Sequence, residues 1–434
     1  MIDFIFFIYS IYSYYTKKYV VALVLFMFFC YRFLRLVPTY LIRFDGPDYA
    51  VGFMIFAFLF GTHTIYMVKE DIKLRRYIVA MCIFLIISFG YSVIRYGLSP
   101  SNVLMASRMS FILPCYFLLR CLHQEWIERI LTILYIITII HGILFVIQCV
   151  TGIPIMGQTA KFDNITGSYR FLNFPPLSDF FLMISILSPD SIKLPNKLSR
   201  YKKYYPLIFM AVTICTFGRL RIIVTAVVLL YGLWLKGKST LIIKVVALMF
   251  VLAIPFSGGL ISRMDNKGET KGDINALFDG SMQHMASTGV NKGGTFTYRI
   301  ALLYERIERL SREDFLDQIF GYGMEYNKDN KSSIVHFKIG GDLYTPDISY
   351  PVLIVKYGFL GTLIYLAIWF RMAVICRKYK NNDDLAFCAY LFIILILIND
   401  FTGSQITYFS WIVFPLLMTI YIQNRETNDD CGSY

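Results

Sequence analysis

Runs of roughly 20 apolar residues recur along the whole of this chain, and no other feature restricts its fold as tightly. A bilayer core takes about that length of helix to cross, and it offers backbone polar groups no partner but the chain itself. The runs fall near residues 19–36, 48–68, 77–96, 102–121, 128–150, 170–188, 203–217, 221–235, 240–256, 348–372, 384–400 and 405–423. They predict an all-α polytopic membrane protein of about 12 transmembrane helices. Residues 2–15 are apolar but short, a candidate thirteenth span or an interfacial helix. With no basic leader and no small-residue cleavage site, they read as retained rather than as a signal peptide. A hydrophobic content of 57% and a mean hydropathy of +0.57 lie outside the range of a soluble domain.

The net charge of +13 could suggest nucleic acid, but in a membrane protein Lys and Arg collect in cytoplasmic loops, so no nucleic-acid partner is expected. The basic loops are Lys69 to Arg76, Lys193 to Lys203, Lys236 with Lys238, and Arg377 to Lys380, and all fall on one side of the span count. The long polar stretch 257–346 falls on the other side and is slightly acidic. It is therefore expected to face out of the cytoplasm. The chain thus divides into an N-terminal bundle (1–256), an extracytoplasmic loop or lid (257–346), C-terminal helices (347–423) and a cytoplasmic tail (424–434), forming one integral domain. The nine cysteines lie in or beside spans or in the tail, which excludes a disulfide framework.

Inside the loop, residues 257–296 are rich in Gly, Ser, Asn and Asp and read as irregular. From Thr297 the period changes: Ile300, Leu303, Ile307 and Leu310 recur at helical spacing, with Arg306, Glu308, Arg309 and Arg312 elsewhere on the surface. An amphipathic helix is expected, lying on the membrane or capping the bundle.

Ionisable groups within or beside spans are costly and usually face a cavity or a partner. Arg108, Arg170, Arg219 and Arg221 gather at the outer depth, and Arg299 opens the loop helix. Each of the first four also reads as an interface anchor. As a cluster they suit a lipid-linked phosphate or diphosphate, since guanidinium forks match phosphate oxygens. Asp347, just before a span, reads either as a helix N-cap or as a base that orients a hydroxyl. The five histidines have no metal-ligand spacing. No Asp-x-Asp, Walker loop or Gly-x-Ser-x-Gly is present, which argues against a metal-dependent nucleotide-sugar transferase, an ATPase and a serine hydrolase.

Taken in order, these residues resemble the bacterial O-antigen and capsule repeat-unit polymerases together with the O-antigen ligases. The family's Ser-Arg-Gly-like turn is similar to Phe217-Gly-Arg219, with Gly for Ser. Its loop arginine and later Gly-x-Gly turn look like Arg299 and Gly321-Tyr-Gly323. Its closing His-Asn-x-Tyr pattern looks like Asp347-Ile-Ser-Tyr350, followed by Gly358. The Asn-Pro stretch that opens an earlier span is faintly similar to Asn173-Phe-Pro-Pro176.

The resemblance implies a multi-pass protein of the bacterial cytoplasmic membrane that joins undecaprenyl-diphosphate-linked oligosaccharide repeats. The transfer would be inverting and metal-independent, with no cofactor. Asp347, Arg219 and Arg299 would be catalytic; Arg108, Arg170, Arg221, Tyr350, Gly321 and Gly323 would bind substrate. A chain-length regulator and a flippase are implied as partners. The ligases carry His where this chain has Asp347, which disfavours the alternative of a ligase acting on a lipid A core. A flippase or transporter is the alternative of a different class, disfavoured by the single late loop that breaks any two-fold symmetry.

Overall fold

The computed structural model describes residues 2–33, 46–60, 71–156, 161–163, 168–171, 174–216, 218–253, 295–327, 332–335, 348–401 and 403–431. Among these the chain is overwhelmingly helical. The N-terminal half contributes α1 (Ile2–Tyr15), α2 (Tyr19–Tyr31), α3 (Gly46–Phe60), α4 (Ile72–Tyr96), α5 (Pro100–Ser107), α6 (Cys115–Leu119) and α7 (Gln124–Thr151). After it come α8 (Ser178–Leu187), the single turn α9 (Asn196–Ser199), α10 (Tyr205–Cys215), α11 (Arg219–Leu235) and α12 (Ser239–Ala253). The loop carries α13 (Thr295–Ser311) and α14 (Phe315–Phe320), and the chain closes with α15 (Ser349–Tyr379), α16 (Asp384–Asn399) and α17 (Val413–Cys431). Among the described residues, extended chain is confined to two antiparallel hairpins, β1 (Lys161–Asp163) with β2 (Ser168–Arg170) and β3 (Met324–Asn327) with β4 (Ser332–Val335).

Among the described residues, four helical stretches are long and apolar enough to cross a bilayer: Ile72–Tyr96, Pro100–Leu119, Gln124–Thr151 and Ser349–Tyr379. Several shorter apolar helices pack among them. Every apolar run in the sequence contains helix, but the runs are not all continuous. That of 102–121 is α5, a 3-10 turn at Arg108–Ile112 and α6, the last two meeting at Pro114, whose ring and missing N–H interrupt a helical ladder. In the run of 170–188 only Ser178–Leu187 is helical among the described residues. Arg170 does not open a span: it ends β2, opposite Lys161. Pro175 and Pro176 lie between, and prolines push the residues before them out of the helical region. At 14 residues, α1 spans about 21 Å, less than a bilayer core; it packs on α2 and α3. The last helix runs on through the expected tail to Cys431.

α15 is the hub. It packs against α4, α16 and α17 within the bundle and against α13 and α14 of the loop. At the end remote from the loop it is tied down by Arg371, whose Nε donates to Asp71 at 3.0 Å. The same aspartate caps α4 by accepting from the Leu74 amide at 2.7 Å. Also at that end, Lys236 bonds Asp384 at 2.6 Å and Ser188 at 2.7 Å, linking α11 to α16 and to the end of α8. The two ends of the chain meet as well: the Tyr31 hydroxyl of α2 donates to the Trp411 carbonyl at 3.3 Å and accepts from the Phe414 amide at 2.8 Å.

Candidate functional site

The loop is seated on the bundle through three glycines. The long helix α15 is broken at Gly358, where φ is +61° and ψ −170°, a left-handed conformation that favours a residue without Cβ. At this break the loop comes in. Gly321, at φ +78°, lies so close that an added Cβ would overlap the Val355 carbonyl. A Cβ on Gly358 would likewise overlap the Ile319 carbonyl. The Tyr322 amide donates to the Val355 carbonyl at 2.9 Å, taking up an acceptor beside the break. Gly323, at φ +71°, rests on Tyr96 and Ser92 of α4. Two motifs 37 positions apart in the chain, counted from Gly321 to Gly358, thus form one backbone-to-backbone joint.

A polar latch holds the same seat. Asp317 of α14 accepts from the hydroxyls of Tyr91 and Tyr96, both at 2.5 Å, and from Arg95 at 3.2 Å. Phe320 stacks on Phe84 at 5.5 Å between ring centroids, and β3 and β4 lie against α5. Burial alone would raise the Asp317 carboxyl, but the bonds from Tyr91, Tyr96 and Arg95 and the charge of Arg95 outweigh it and hold it below the usual carboxylate range. A carboxyl lowered in the folded state contributes stability above its unfolded value and loses it as pH falls through the lowered one. Asp317→Asn is therefore expected to loosen the loop at neutral pH, seen as faster proteolysis within 295–335, and to remove the part of the wild-type acid sensitivity that this group carries. Proteolysis unchanged at both neutral and acid pH would discount the latch.

The loop helix α13 docks on the first half of α15, and its inward face overlaps the expected one, with Leu303 and Leu310 packed inward, but is rotated from it. Ala301, Leu302, Arg306 and Leu310 are buried, whereas Ile307 is 40% exposed. Arg306, expected at the surface, is 3% exposed and paired with Glu305. Leu302 meets Ile348, and Leu310 meets Ile354, Val355 and Tyr322. The inward stripe is therefore mixed, and a stripe that buries an ion pair is invisible to a search for apolar periodicity. Arg299, seven residues before Arg306, shares its face of α13 and is half-buried.

The other expected site residues are divided. The Tyr350 hydroxyl donates to the Leu397 carbonyl at 2.7 Å and its ring lies on Phe401, which fixes the start of α15 to α16. Asp347 lies outside the described residues. The residue that precedes α15 is Ile348. The adjoining Ser349 is held firmly: its hydroxyl donates to Asp400 at 2.7 Å and its amide to the Gly403 carbonyl at 2.8 Å. Asp400, fully buried, also accepts the amides of Gln405 at 3.2 Å and Ile406 at 2.5 Å. Arg219 is the first residue of α11, and Arg170 the last of β2; the side chains of both lie outside the described residues.

Arg108 and Arg221 do not stand as open phosphate hooks. Arg108 Nε meets Asp48 Oδ1 of α3 at 2.5 Å. Arg221 is 8% exposed, bonds Asp179 Oδ2 of α8 at 2.5 Å and stacks on Phe174 at 3.5 Å. Thr213 of α10 donates to the same carboxylate at 3.3 Å. Each of these arginines is already neutralised by a carboxylate on a different helix, so the expected basin of four cations is at least partly cancelled. Asp179 was legible as a lone acid inside an apolar run and Asp48 as an acid at the head of one, the pattern that marks a partner for a buried base. Lys356 of α15, 8% exposed, carries the same signal.

Among the described residues no group of three or more His, Cys, Asp or Glu is placed to hold a metal ion. Compared with known proteins, the chain matches no family model. No curated protein matches it either. The geometry therefore defines a helical protein with membrane-length apolar helices and a loop locked to the kink of its central helix.

Proposed function

We propose that this chain is a polysaccharide polymerase, joining oligosaccharide repeats carried on undecaprenyl diphosphate at the outer face of a bacterial cytoplasmic membrane. About 12 spans would carry the 257–346 loop to that face. The observation that supports the reading is convergence. The helix bearing Arg299, the Gly321-Tyr322-Gly323 turn and the segment that closes with Gly358 are separate in sequence and are joined around one break in α15. Irregular backbone at membrane depth is tolerated where it lines a cavity or is buried in protein, and broken helices are common where substrates bind.

In the mechanism this implies, Arg219 and Arg299 stabilise the charge that develops on the departing diphosphate, and Asp347 orients or deprotonates the acceptor hydroxyl. The paired Arg108 and Arg221 are better suited to holding helices together than to binding phosphate.

The lipid-linked glycans of a deletion strain test the assignment. Single repeats remaining on the carrier would support a polymerase, carrier-linked long polymer would mean a ligase, and repeats held on the cytoplasmic face a flippase. In the complemented strain, Arg299→Ala, Arg219→Ala and Asp347→Asn are each expected to lower polymer formation by about a hundredfold or more at normal membrane levels. Arg→Lys should restore little, because an ammonium does not reproduce a bidentate phosphate contact. Wild-type polymer from all three variants would remove these residues from the mechanism.

A further inference from the structure

Lys356 lies seven residues into α15, about 10 Å below its start. It is 8% exposed, and its ammonium sits 4.8 Å from the centre of the neighbouring Tyr357 ring. Among the described residues no carboxylate pairs with it and no hydrogen bond reaches its Nζ. The enclosed arginines of the protein are treated differently: half-buried Arg108 has Asp48, and the buried Arg221 and Arg306 have Asp179 and Glu305.

A cation removed from water without a counter-charge is strongly disfavoured, and within a membrane bundle it marks a functional position by default. The carbonyl end of the half-helix that stops at Gly358 offers some compensation, but much less than an anion in contact. The surroundings bring the loop and the bundle together at this residue. Gly321 covers the Lys356 backbone on one side. Next to it, the Tyr357 hydroxyl is bonded to Ser110 at 2.9 Å, two residues from Arg108.

We propose that Lys356 is an anion-binding residue whose counter-charge is the diphosphate of the polyprenyl-linked substrate. The inference rests on the polymerase reading and adds to it a ligand contact that the motifs do not contain. A compact ammonium contributes a point charge that needs no fork geometry.

The test is ligand binding by the purified full-length protein in detergent, followed as a rise in Tm with undecaprenyl diphosphate, undecaprenol and inorganic pyrophosphate in parallel. Wild type is expected to respond to the lipid diphosphate and not to undecaprenol. A response to pyrophosphate as well would locate recognition in the head group alone; none would mean that the lipid chain is needed to bring it in, and both support the contact provided the loss below is seen. Lys356→Met should bind the diphosphate about tenfold to a hundredfold more weakly, the effect of losing one charged hydrogen bond. Lys356→Arg should fall between the two. Without ligand, Lys356→Met should melt no lower than wild type, because an apolar side chain of similar length replaces an unpaired charge. If it fails to fold, Lys356→Gln gives the same comparison.

Diphosphate binding by the neutral variant as tight as by wild type overturns the inference. If Arg299→Ala weakens binding while Lys356→Met does not, the inference fails and the polymerase reading stands. No response of wild type to either phosphate compound overturns both.

Discussion

Gly358→Ala is expected to unseat the loop and, on the polymerase reading proposed above, to lower polymer formation by about a hundredfold, with the protein still present at normal membrane levels. Two costs combine. A Cβ at positive φ with extended ψ, a combination essentially confined to glycine, costs about 1–3 kcal/mol, and forcing it into the Ile319 carbonyl adds an overpacking cost of about 1–3 kcal/mol. The second cost falls on the joint itself, since the atom met is backbone and has no rotamer to change. Gly321→Ala should behave alike, because its Cβ would meet the Val355 carbonyl from the other side. Gly97→Ala separates the two costs: Gly97 has φ +62° and nothing within 4 Å of an added Cβ. It should therefore show the backbone strain without loss of loop protection. Limited proteolysis of the loop, scored beside glycan length, reads the result. A protected loop and normal polymer in Gly358→Ala would mean that the joint is not needed to hold the site together.

The second large effect concerns the buried pair between α8 and α11. Asp179→Leu or Arg221→Met alone leaves one charge buried without its partner, and such single breaks cost about 3–5 kcal/mol. Both together remove the pair, leaving apolar side chains beside Phe174, and should cost little. The cycle is measured as thermal stability in detergent, and a coupling energy of several kcal/mol is the expected outcome. Additive losses would show that Arg221 and Asp179 do not depend on each other, and would return Arg221 to the candidate phosphate ligands.

Much of the helical layout was legible because apolar runs have only one cheap conformation in a membrane. The extent of α4, α7, α15 and α16 and the position of the loop follow from the runs alone. Arg170 shows the limit: the composition of 170–188 is span-like, but Pro175 and Pro176 decide where its helix can begin. Arg306 shows another, since a periodicity search places charges outward, and here a charge turns inward with its neighbour Glu305 beside it. The three glycines of the joint were visible as residues, while their mutual contact was not. Nothing local in Phe320-Gly-Tyr-Gly says that its partner is the backbone at Val355, because close approach leaves no side-chain signature. The pairing of Arg108 with Asp48 and of Arg221 with Asp179 depends on which helices are neighbours. That information is in the fold and not in any one segment.

Tyr31 and Trp411 are separated by 380 positions in the chain. A ribosome adding about 5–20 residues per second delivers the second partner roughly 20–80 s after the first. During that interval α2 lacks the segment that takes up its hydroxyl, and α15 has yet to bring Arg371 to Asp71. Until then the early helices have only each other to pack against. The mutual packing of α1, α2 and α3 is complete by Phe60, so the short first helix, too brief to cross a bilayer by itself, adds apolar contact to α2 and α3 before any later helix exists.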